Sequence, residues 1–469
     1  MGGGAVKMLV VLAALALLAS SPTPLERGDR ATTTAAGITF SPPVRLGPAG
    51  GAGRPPALSA NESKTDNFFS LSPTHIVGMY GQGPPEGAGA NMPLVASTDS
   101  GRSFHIPGNL SCGGSILTDD GYGECWEGSL IAGTGPKPTL FSVGAVRPPT
   151  PPGARPTPDG WTKPPWFNFS ASVITRFDVA ADGAVRWRGR VPQRVDFLGL
   201  PIGAHRGCGL DGLSLYTSGA VRLPSGAIVH TAIVCWRNVS NPKWQGGKQD
   251  QFSIIAFRTT PGQDFVFRYS GTVIDSADLL PWSMFGPNEH DLTLLADGRT
   301  IMAAIRYDGN DDCGTVTHRT PAPFTSTGYT TYYQSFSSDG GSRWSTATPM
   351  LGMGSVRPRL HLLRPSGPLL LSGGRFCAEG IGGLFVWVNH DGMGKTWEAV
   401  DLAAVHDRLV QDPSLRFGVS GNASGDWGTQ AYTSLVGVGG GGAVVMYNKY
   451  WSLSCNAECS AGFAMRLSV

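Results

Sequence analysis

The chain has 469 residues, of which 41% are hydrophobic and 15% are charged, and its formal net charge is +2. This length leaves room for one large core or for two ordinary domains. The small net charge gives no electrostatic reason for binding to nucleic acid or to an acidic membrane surface, so we expect neither as a partner. Gly (66) and Pro (36) residues separate short apolar segments, which predicts many turns joining many strands.

The N-terminus has the pattern of a signal peptide. Lys7 precedes an apolar run from Met8 to Ala19, and two serines follow it. The run is too short to cross a bilayer, which needs about 20 apolar residues. We therefore predict a signal peptide over residues 1–21, a secreted or lumenal protein, and no stable membrane insertion; an uncleaved signal anchor is the alternative. Residues 22–60 are rich in Pro, Gly, Ala and Thr and are interpreted as a lead-in to a folded domain over residues 61–469, with a first outer strand as the alternative.

Cysteines and sequons agree with export. An even number of cysteines in an exported chain is typical of disulfides. Proximity along the chain and the hairpin pattern predict the pairs Cys112–Cys125, Cys208–Cys235, Cys313–Cys377 and Cys455–Cys459. Five Asn-x-Ser sequons are compatible with a glycoprotein: Asn61, Asn109, Asn168, Asn238 and Asn422. The spacing of Cys and His does not fit a zinc finger, and we predict neither a metal nor another cofactor.

Alternating apolar segments joined by small polar turns predict β-hairpins along most of the chain. The Pro-rich stretch Val146–Pro165 is interpreted as a surface loop, with a domain linker as the alternative. Asp401–Val410 is the best candidate for a helix. The clearest hairpins are Gly219–Val229, Leu292–Ile305, Leu360–Leu371 and Leu435–Met446.

A sharper repeat lies on these hairpins, with the pattern Ser-x-Asp-x-Gly-x-x-aromatic. Ser97–Phe104 and Ser337–Trp344 match it fully, and Asn389–Trp397 matches it with one inserted residue. Ala180–Trp187 and Arg258–Phe265 are degenerate copies. The spacing has a physical basis, because Asp accepts hydrogen bonds from its own turn, Gly adopts a positive φ, and the aromatic ring packs where the next strand begins.

This repeat resembles the Asp-box (BNR repeat) of the sialidase, or neuraminidase, superfamily. Its copies start 83, 78, 79 and 52 residues apart, which suits large propeller blades. The resemblance covers about residues 60–450 and implies an all-β fold, a six-bladed β-propeller of four-stranded antiparallel blades. The Asp-box is structural in that family, so it indicates architecture and leaves activity to be argued from other residues.

The family's catalytic site has a Tyr nucleophile activated by a Glu, an Arg triad for the substrate carboxylate, and an acid/base Asp. The segment from Glu289 to Arg306 resembles the one that carries the activating Glu and a triad Arg. Arg375 resembles a second triad Arg; Arg357 and Arg359, on the preceding strand, are its alternatives. Tyr432, in Gln-Ala-Tyr-Thr-Ser-Leu, resembles the nucleophile, with Tyr447 as the runner-up.

The first blade departs from the family's pattern. Arg54 only faintly resembles the first triad Arg, and Arg206 is the alternative for the third member of the clamp. Between Asn67 and Ser97 there is no Asp, so Glu86 is the only candidate there for the general acid.

Two hypotheses follow from the resemblance. One is an exo-glycosidase that removes sialic acid or a related carboxylated sugar from glycoconjugates. The other is a sialidase-like propeller without turnover that acts as a glycan-binding or interaction module. The set of Glu289, Arg306, Arg375 and Tyr432 favours the enzyme, whereas the missing Asp favours the module. Both hypotheses predict sialylated or other acidic glycoconjugates as partners.

Overall fold

The computed structural model of the chain describes residues 37–46, 62–64, 68–79, 81–83, 92–105, 111–112, 129–132, 140–143, 172–180, 185–193, 196–199, 206–207, 216–237, 252–263, 266–275, 287–307, 332–354, 357–363, 365–378, 381–417, 432–450 and 460–468. The predicted signal peptide, the five sequons and at least one cysteine of every predicted disulfide lie outside these residues. Those predictions, and the domain limits at residues 21 and 60, therefore stay predictions.

Strands dominate the described residues, as the frequent turns predicted. In chain order they are β1 Thr39–Phe40, β2 Val44–Leu46, β3 Glu62–Lys64, β4 Phe68–Ser70, β5 Ile76–Met79, β6 Gly81–Gly83, β7 Met92–Ser97, β8 Ser111–Cys112, β9 Ser129–Ala132, β10 Leu140–Val143, β11 Ser172–Val179, β12 Val185–Gln193, β13 Asp196–Leu198, β14 Arg206–Gly207, β15 Tyr216–Arg222, β16 Ile228–Arg237, β17 Phe252–Thr259, β18 Val266–Ile274, β19 Pro287–Leu294, β20 Ile301–Tyr307, β21 Tyr333–Ser337, β22 Thr348–Pro349, β23 Arg359–Leu362, β24 Leu369–Ala378, β25 Ile381–Asn389, β26 Glu398–Asp401, β27 Ser434–Val438, β28 Gly442–Tyr450 and β29 Ser460–Ser468.

Five of the described sheets have four or more strands. Sheet I contains β4, β5, β7 and β8; sheet II contains β13 to β18; sheet III contains β19 to β22; sheet IV contains β23 to β26. Sheet V contains β27, β28 and β29 together with β1 and β2 from the start of the chain. Neighbouring strands pair antiparallel, except β13 with β18, and the four predicted hairpins form β15–β16, β19–β20, β23–β24 and β27–β28.

The sheets follow one another around a ring through one strand of each sheet, namely β4, β15, β19, β23 and β27, here called the inner strands. Strand β15 lies beside β19, β19 beside β23, β23 beside β27, and β27 beside β4 of sheet I. Pairing of β1 and β2 with β29 joins the beginning of the described chain to its last sheet. Successive antiparallel sheets arranged in this way form a β-propeller. The predicted all-β propeller is therefore confirmed.

The predicted number of blades is wrong, because the described residues form five sheets of four or more strands and not six. Between sheets I and II, and among the described residues alone, β9 pairs only with β10, and β11 pairs only with β12. Strand β10 lies beside β11, but hydrogen-bonded pairing does not join them. A sixth blade needs β9 to β12 in one ladder, and residues 144–171, which contain the Pro-rich stretch Val146–Pro165, separate β10 from β11 along the chain. Bringing strand ends together across so long a connection costs more entropy than closing a short hairpin.

The full Asp-box copies join the third and fourth strands of their sheets. In the first copy, the amide of Gly101 donates to Ser97 Oγ (2.8 Å), and the amides of Arg102 and Ser103 donate to Asp99 Oδ1 (both 2.9 Å). Gly101 has a φ of 78°, and a Cβ there would lie 2.6 Å from Val444 Cγ2 of sheet V. The motif therefore closes a turn and also packs against the neighbouring blade.

The predicted helix is confirmed as Leu402–Leu409, with Asp401 as its N-cap, accepting a hydrogen bond from the amide of Ala404 (2.9 Å). Two short 3-10 turns, Pro413–Leu415 and Gly439–Gly441, complete the helical structure of the described residues. Within the part of the chain that the structure describes, no helix is long and apolar enough to cross a membrane.

Candidate functional site

The candidate site lies where β19 begins, and an irregular ladder positions its carboxylate. Pro287 pairs with Tyr307 and His290 with Ile305, so Asn288 and Glu289 together oppose the single residue Arg306. Such a β-bulge inserts one residue and re-aims the side chains around it. The bulge therefore directs the side chain of Glu289 toward Arg306. In a regular strand, where side chains alternate between the two faces, this orientation would not follow from the register alone.

Glu289 and Arg306 form an ion pair, with 2.7 Å between Glu289 Oε2 and Arg306 Nη1. The side chain of Arg306 is 8% exposed and that of Glu289 is 19% exposed, so little water screens the pair. The amide of Arg357, just before β23, also donates to Glu289 Oε2 (2.9 Å). One carboxylate oxygen therefore connects the inner strand of sheet III, its neighbouring strand and the chain entering sheet IV.

The electrostatic balance at Glu289 favours the ionised form. Burial raises the pKa of its carboxyl, but the charges of Arg306 and Arg357 and the hydrogen bonds from these two residues lower the pKa by more. The net result is a pKa below the usual value. Glu289 is therefore a carboxylate at neutral and weakly acidic pH, available as a proton acceptor but only as a weak one.

Asp291, two residues further along β19, has the opposite balance. Its Oδ2 accepts from the amide of Leu360 on β23 (2.8 Å), and its Oδ1 accepts from the amide of Leu292 (2.9 Å). Burial raises the pKa of Asp291 to about 6, although the charge of Arg359 and both hydrogen bonds act against that rise. Two carboxylates two residues apart thus differ in acidity, because arginine charge dominates around the first and burial dominates around the second.

Register shows that the inner strands of sheets III and IV present equivalent positions. Asp291 pairs with Ala304 and Arg359 with Ser372, each three residues before the last pair of its hairpin. Glu289 and Arg357, two residues before Asp291 and Arg359, therefore occupy the same level of sheets III and IV.

Tyr432 occupies this level in sheet V. Ser434 Oγ accepts from the amide of Phe68 on the next inner strand (3.1 Å), as Asp291 accepts from the amide of Leu360. Tyr432 precedes Ser434 by two residues, as Glu289 precedes Asp291, and its side chain is half-buried. Tyr432, Arg357 and Glu289 therefore follow one another around the ring at one level, with Arg357 in the middle. Direct contact between the Tyr432 hydroxyl and Glu289 stays a prediction.

The other predicted site residues fall into three groups. Arg375 lies on β24 and Arg206 on β14, but their side chains are outside the described part of the structure. Arg54 and Glu86 lie outside it altogether. The runner-up Tyr447 is fully buried in a core cluster of sheets IV and V, where its hydroxyl lies 2.8 Å from His406 Nδ1. Such a phenol is positioned to fill the core and not to meet a substrate.

Sequence reasoning missed two residues of this cluster and ranked two others too low. His290 and Asp291 were read only as part of a hairpin, and Arg357 and Arg359 only as substitutes for Arg375. The alternation Arg-x-Arg at positions 357 and 359 was the available signal, because it places both on one face of an inner strand. The link from Glu289 to the amide of Arg357 spans 68 positions, and no local pattern indicates it.

Chemically, the site combines the buried carboxylate of Glu289 with the guanidinium groups of Arg306 on β20 and Arg357 just before β23. Arg guanidinium groups bind carboxylates through paired N–H donors. Groups of three or more His, Cys, Asp or Glu side chains able to hold a metal do not occur among the residues that the structure describes.

No protein-family model matches the chain, and none of the curated proteins matches it in sequence. Several solved structures resemble it in fold. A Hadza microbial sialidase has a TM-score of 0.47 at 11% identity, over 86% of this chain and 65% of that one. The α-L-arabinofuranosidase Arb93A of Fusarium graminearum has a TM-score of 0.44 at 13% identity, over 87% and 96%. The NanB sialidase of Streptococcus pneumoniae has a TM-score of 0.43 at 11% identity, over 87% and 68%.

Proposed function

We propose that this chain is a secreted exo-glycosidase of the sialidase type, which removes sialic acid or a related carboxylated sugar from glycoconjugates. The observation that carries the proposal is the ion pair of Glu289 and Arg306 at the start of the inner strands, on the level that Arg357 and Tyr432 share. It supports the proposal because the reaction needs two groups close together. One is a base that takes the proton of the Tyr432 phenol, and the other is a cation that binds the carboxylate of the sugar.

In the proposed reaction, the oxygen of Tyr432 bonds to the anomeric carbon of the sugar while the glycosidic bond breaks. A carboxylate nucleophile would be repelled by the carboxylate that sialic acid carries on that carbon, whereas a phenol is neutral until its proton leaves. Glu289 takes that proton. A general acid, for which Glu86 is the candidate, gives a proton to the leaving oxygen, and water then cleaves the bond between Tyr432 and the sugar.

Arginines would orient the substrate by binding its carboxylate. Arg306 is positioned for this role by its bond to Glu289, and Arg375, Arg54 and Arg206 are proposed as its partners on the evidence of the sequence resemblance alone. A guanidinium fixed before the substrate arrives is effective, because it does not have to reorganise when charge develops at the ring.

The low pKa of Glu289 favours a second candidate function, a glycan-binding module without turnover. A carboxylate that accepts from both Arg306 and Arg357 is a weak base for a phenol. The absence of Asp between Asn67 and Ser97 points in the same direction. In this alternative the arginines bind an acidic glycan, and Glu289 serves to orient them.

Hydrolysis of a fluorogenic sialoside by the secreted protein separates the two candidates. The enzyme hypothesis predicts turnover that Tyr432→Phe and Glu289→Gln each reduce by roughly 10²–10⁴-fold. Tyr447→Phe is the matched control, because it removes a phenol hydroxyl from the core of the same sheet and should leave turnover nearly unchanged. Sialic acid binding without turnover would favour the module, and neither binding nor turnover would contradict both.

A further inference from the structure

Two buried inter-sheet hydrogen bonds lie directly beside the proposed base and the proposed nucleophile. His290, next to Glu289, has its Nε2 2.7 Å from Oγ1 of Thr231, which lies on β16 of sheet II. Thr433, next to Tyr432, has its Oγ1 2.8 Å from Oγ of Ser372, which lies on β24 of sheet IV. All four of these bonded residues are fully buried.

The two bonds occupy equivalent places in the propeller. Thr231 pairs with Gly219 three residues before the last pair of the β15–β16 hairpin, and Ser372 pairs with Arg359 three residues before the last pair of β23–β24. Between these two pairs, Pro358 at the entry to sheet IV and Ala304 on β20 of sheet III stand at the corresponding positions, and neither side chain can form such a bond. The pairs therefore occur where the residue on the site side is Glu or Tyr, and not where it is Arg357.

The hydrogen bonds of His290 fix the bulge that presents Glu289. Nδ1 lies 3.1 Å from the carbonyl oxygen of Asn288, which can only accept, so Nδ1 carries the proton. Burial lowers the pKa of His290 to about 4, so the ring is neutral and Nε2 accepts the proton of Thr231 Oγ1. The imidazole thus connects sheet II to the carbonyl immediately before Glu289.

We propose that His290–Thr231 and Thr433–Ser372 are positioning pairs, which fix Glu289 and Tyr432 at one level of the ring so that base and nucleophile can meet. This inference rests on the proposed function for its catalytic consequence, but the placement of Glu289 against Arg306 is measurable without turnover. Each pair fixes the backbone next to a proposed catalytic residue, and a displacement of about 1 Å is enough to reduce catalysis strongly.

Thr231→Val tests the first pair, because valine has the shape of threonine and lacks the hydroxyl. Thr259→Val is the matched control, since Thr259 is also buried, lies in the same sheet, and accepts from the amide of Ile228 (2.9 Å). Thr231→Val removes the hydroxyl that contacts His290 Nε2 and, at 3.3 Å, the carbonyl oxygen of Gly219, and Thr259→Val removes the acceptor of the Ile228 amide. Both variants thus lose buried hydrogen bonds and should lose stability of the same order. Thr231→Ser keeps the hydroxyl and serves as the rescue variant.

The readout is the pKa of the Glu289 carboxyl, followed by ¹³C NMR in protein labelled at the Glu carboxyl carbons and assigned with Glu289→Gln. The inference predicts that Thr231→Val moves this pKa up by roughly one unit, because a loosened bulge weakens the contact with Arg306. Thr259→Val and Thr231→Ser should leave it within about 0.2 units. An unchanged Glu289 pKa in a folded Thr231→Val protein would overturn the proposal.

Turnover provides the second readout and separates this inference from the proposed function. If the wild type hydrolyses the sialoside, Thr231→Val and Ser372→Ala should each lower kcat by roughly ten-fold or more with little change in KM, and Thr259→Val should not. Equal kcat in Thr231→Val and Thr259→Val would overturn the positioning role. If the wild type has no turnover, the proposed function fails, and the Glu289 pKa still decides the inference.

Discussion

Carboxylates bind backbone amides in two regions of this propeller, the Asp-box turns and the ends of the inner strands, with different consequences. In the Asp-box, Asp99 accepts from amides three and four residues away in an exposed turn. At the inner strands, Glu289 and Asp291 accept from amides 68 and 69 residues away, between sheets. The first arrangement closes a local turn, and the second joins neighbouring blades and places charge beside a site.

The two regions also differ in how water affects the carboxylate. Slight burial acts to raise the pKa of Asp99, but its hydrogen bonds to Ser103 and to neighbouring groups lower it overall. At Asp291 burial dominates, and the same kind of hydrogen bond does not offset it. At the surface, a carboxylate that accepts from backbone amides therefore stabilises a turn and stays ionised. In the interior, burial can raise the pKa of such a carboxyl despite the same hydrogen bonds. Changes at the inner strands should affect both stability and chemistry, whereas changes in the turns should affect stability alone.

The largest effect is expected from breaking the ion pair at the inner strands. Arg306→Met leaves Glu289 as a buried carboxylate without its main counter-charge, and we expect the free energy of unfolding to fall by about 3 kcal/mol at neutral pH. Adding Glu289→Gln to Arg306→Met should restore much of this loss, as measured by urea unfolding. If the double variant is no more stable than Arg306→Met, the unpaired charge of Glu289 is not the cause of the lost stability, and the prediction is contradicted.

A change in the Asp-box should have an effect of similar or slightly smaller size, through shape and without charge. Gly101→Ala puts a Cβ into a left-handed backbone and against Val444, and we expect a loss of about 3 kcal/mol. Gly298→Ala is the matched control, because Gly298 has a φ of 64° with no atom within 4 Å of the added Cβ. It should lose only about 1 kcal/mol. Equal losses would mean that the turn does not pack against sheet V as described.

The pH dependence of stability distinguishes the buried carboxylate from the exposed one. The pKa of Asp291 is about 6 in the folded chain, against an ordinary value of 3.8 for an aspartate, so the folded state binds the proton more tightly. The contribution of Asp291 is then greatest below about pH 4 and declines as the pH rises to about 6, by at most about 3 kcal/mol. Asp291→Asn should remove this decline, while Asp99→Asn should leave it intact. Parallel stability profiles for the wild type and Asp291→Asn would contradict the balance described here.

The smallest effect is expected for the ring that closes an Asp-box turn. Trp397 Nε1 donates to the carbonyl oxygen of Gly394 (3.2 Å), and Trp397→Phe removes the donor while keeping an aromatic ring. The expected loss is about 1 kcal/mol in thermal unfolding, with no effect on ligand binding. A change in glycan binding would show that the turn and the site are coupled.

The same comparison explains what the sequence could predict. The Asp-box, the hairpins and the helix after Asp401 are local, because every group that defines them lies within a few residues. A sixth blade depends on pairing between β10 and β11, which are far apart along the chain. Local patterns in the sequence do not show whether such distant strands pair. At the site, the family resemblance indicated Glu289 and Arg306, which lie on one continuous segment of the sequence. The role of Arg357 depends on an inter-sheet contact, and the bonds of His290 and Thr433 cross sheets, so periodicity could not reveal them.

Titration calorimetry of the secreted protein with sialic acid and with its methyl ester tests the central claim, that the inner-strand ends bind a carboxylated sugar through arginine. The ester keeps the sugar and removes the charge, and hydrogen bonds to charged groups contribute roughly 1.5–3 kcal/mol. The account predicts that the acid binds at least roughly ten-fold more tightly than the ester, and that Arg306→Met removes this difference. Equal binding of acid and ester, or an undiminished preference for the acid in Arg306→Met, would contradict it.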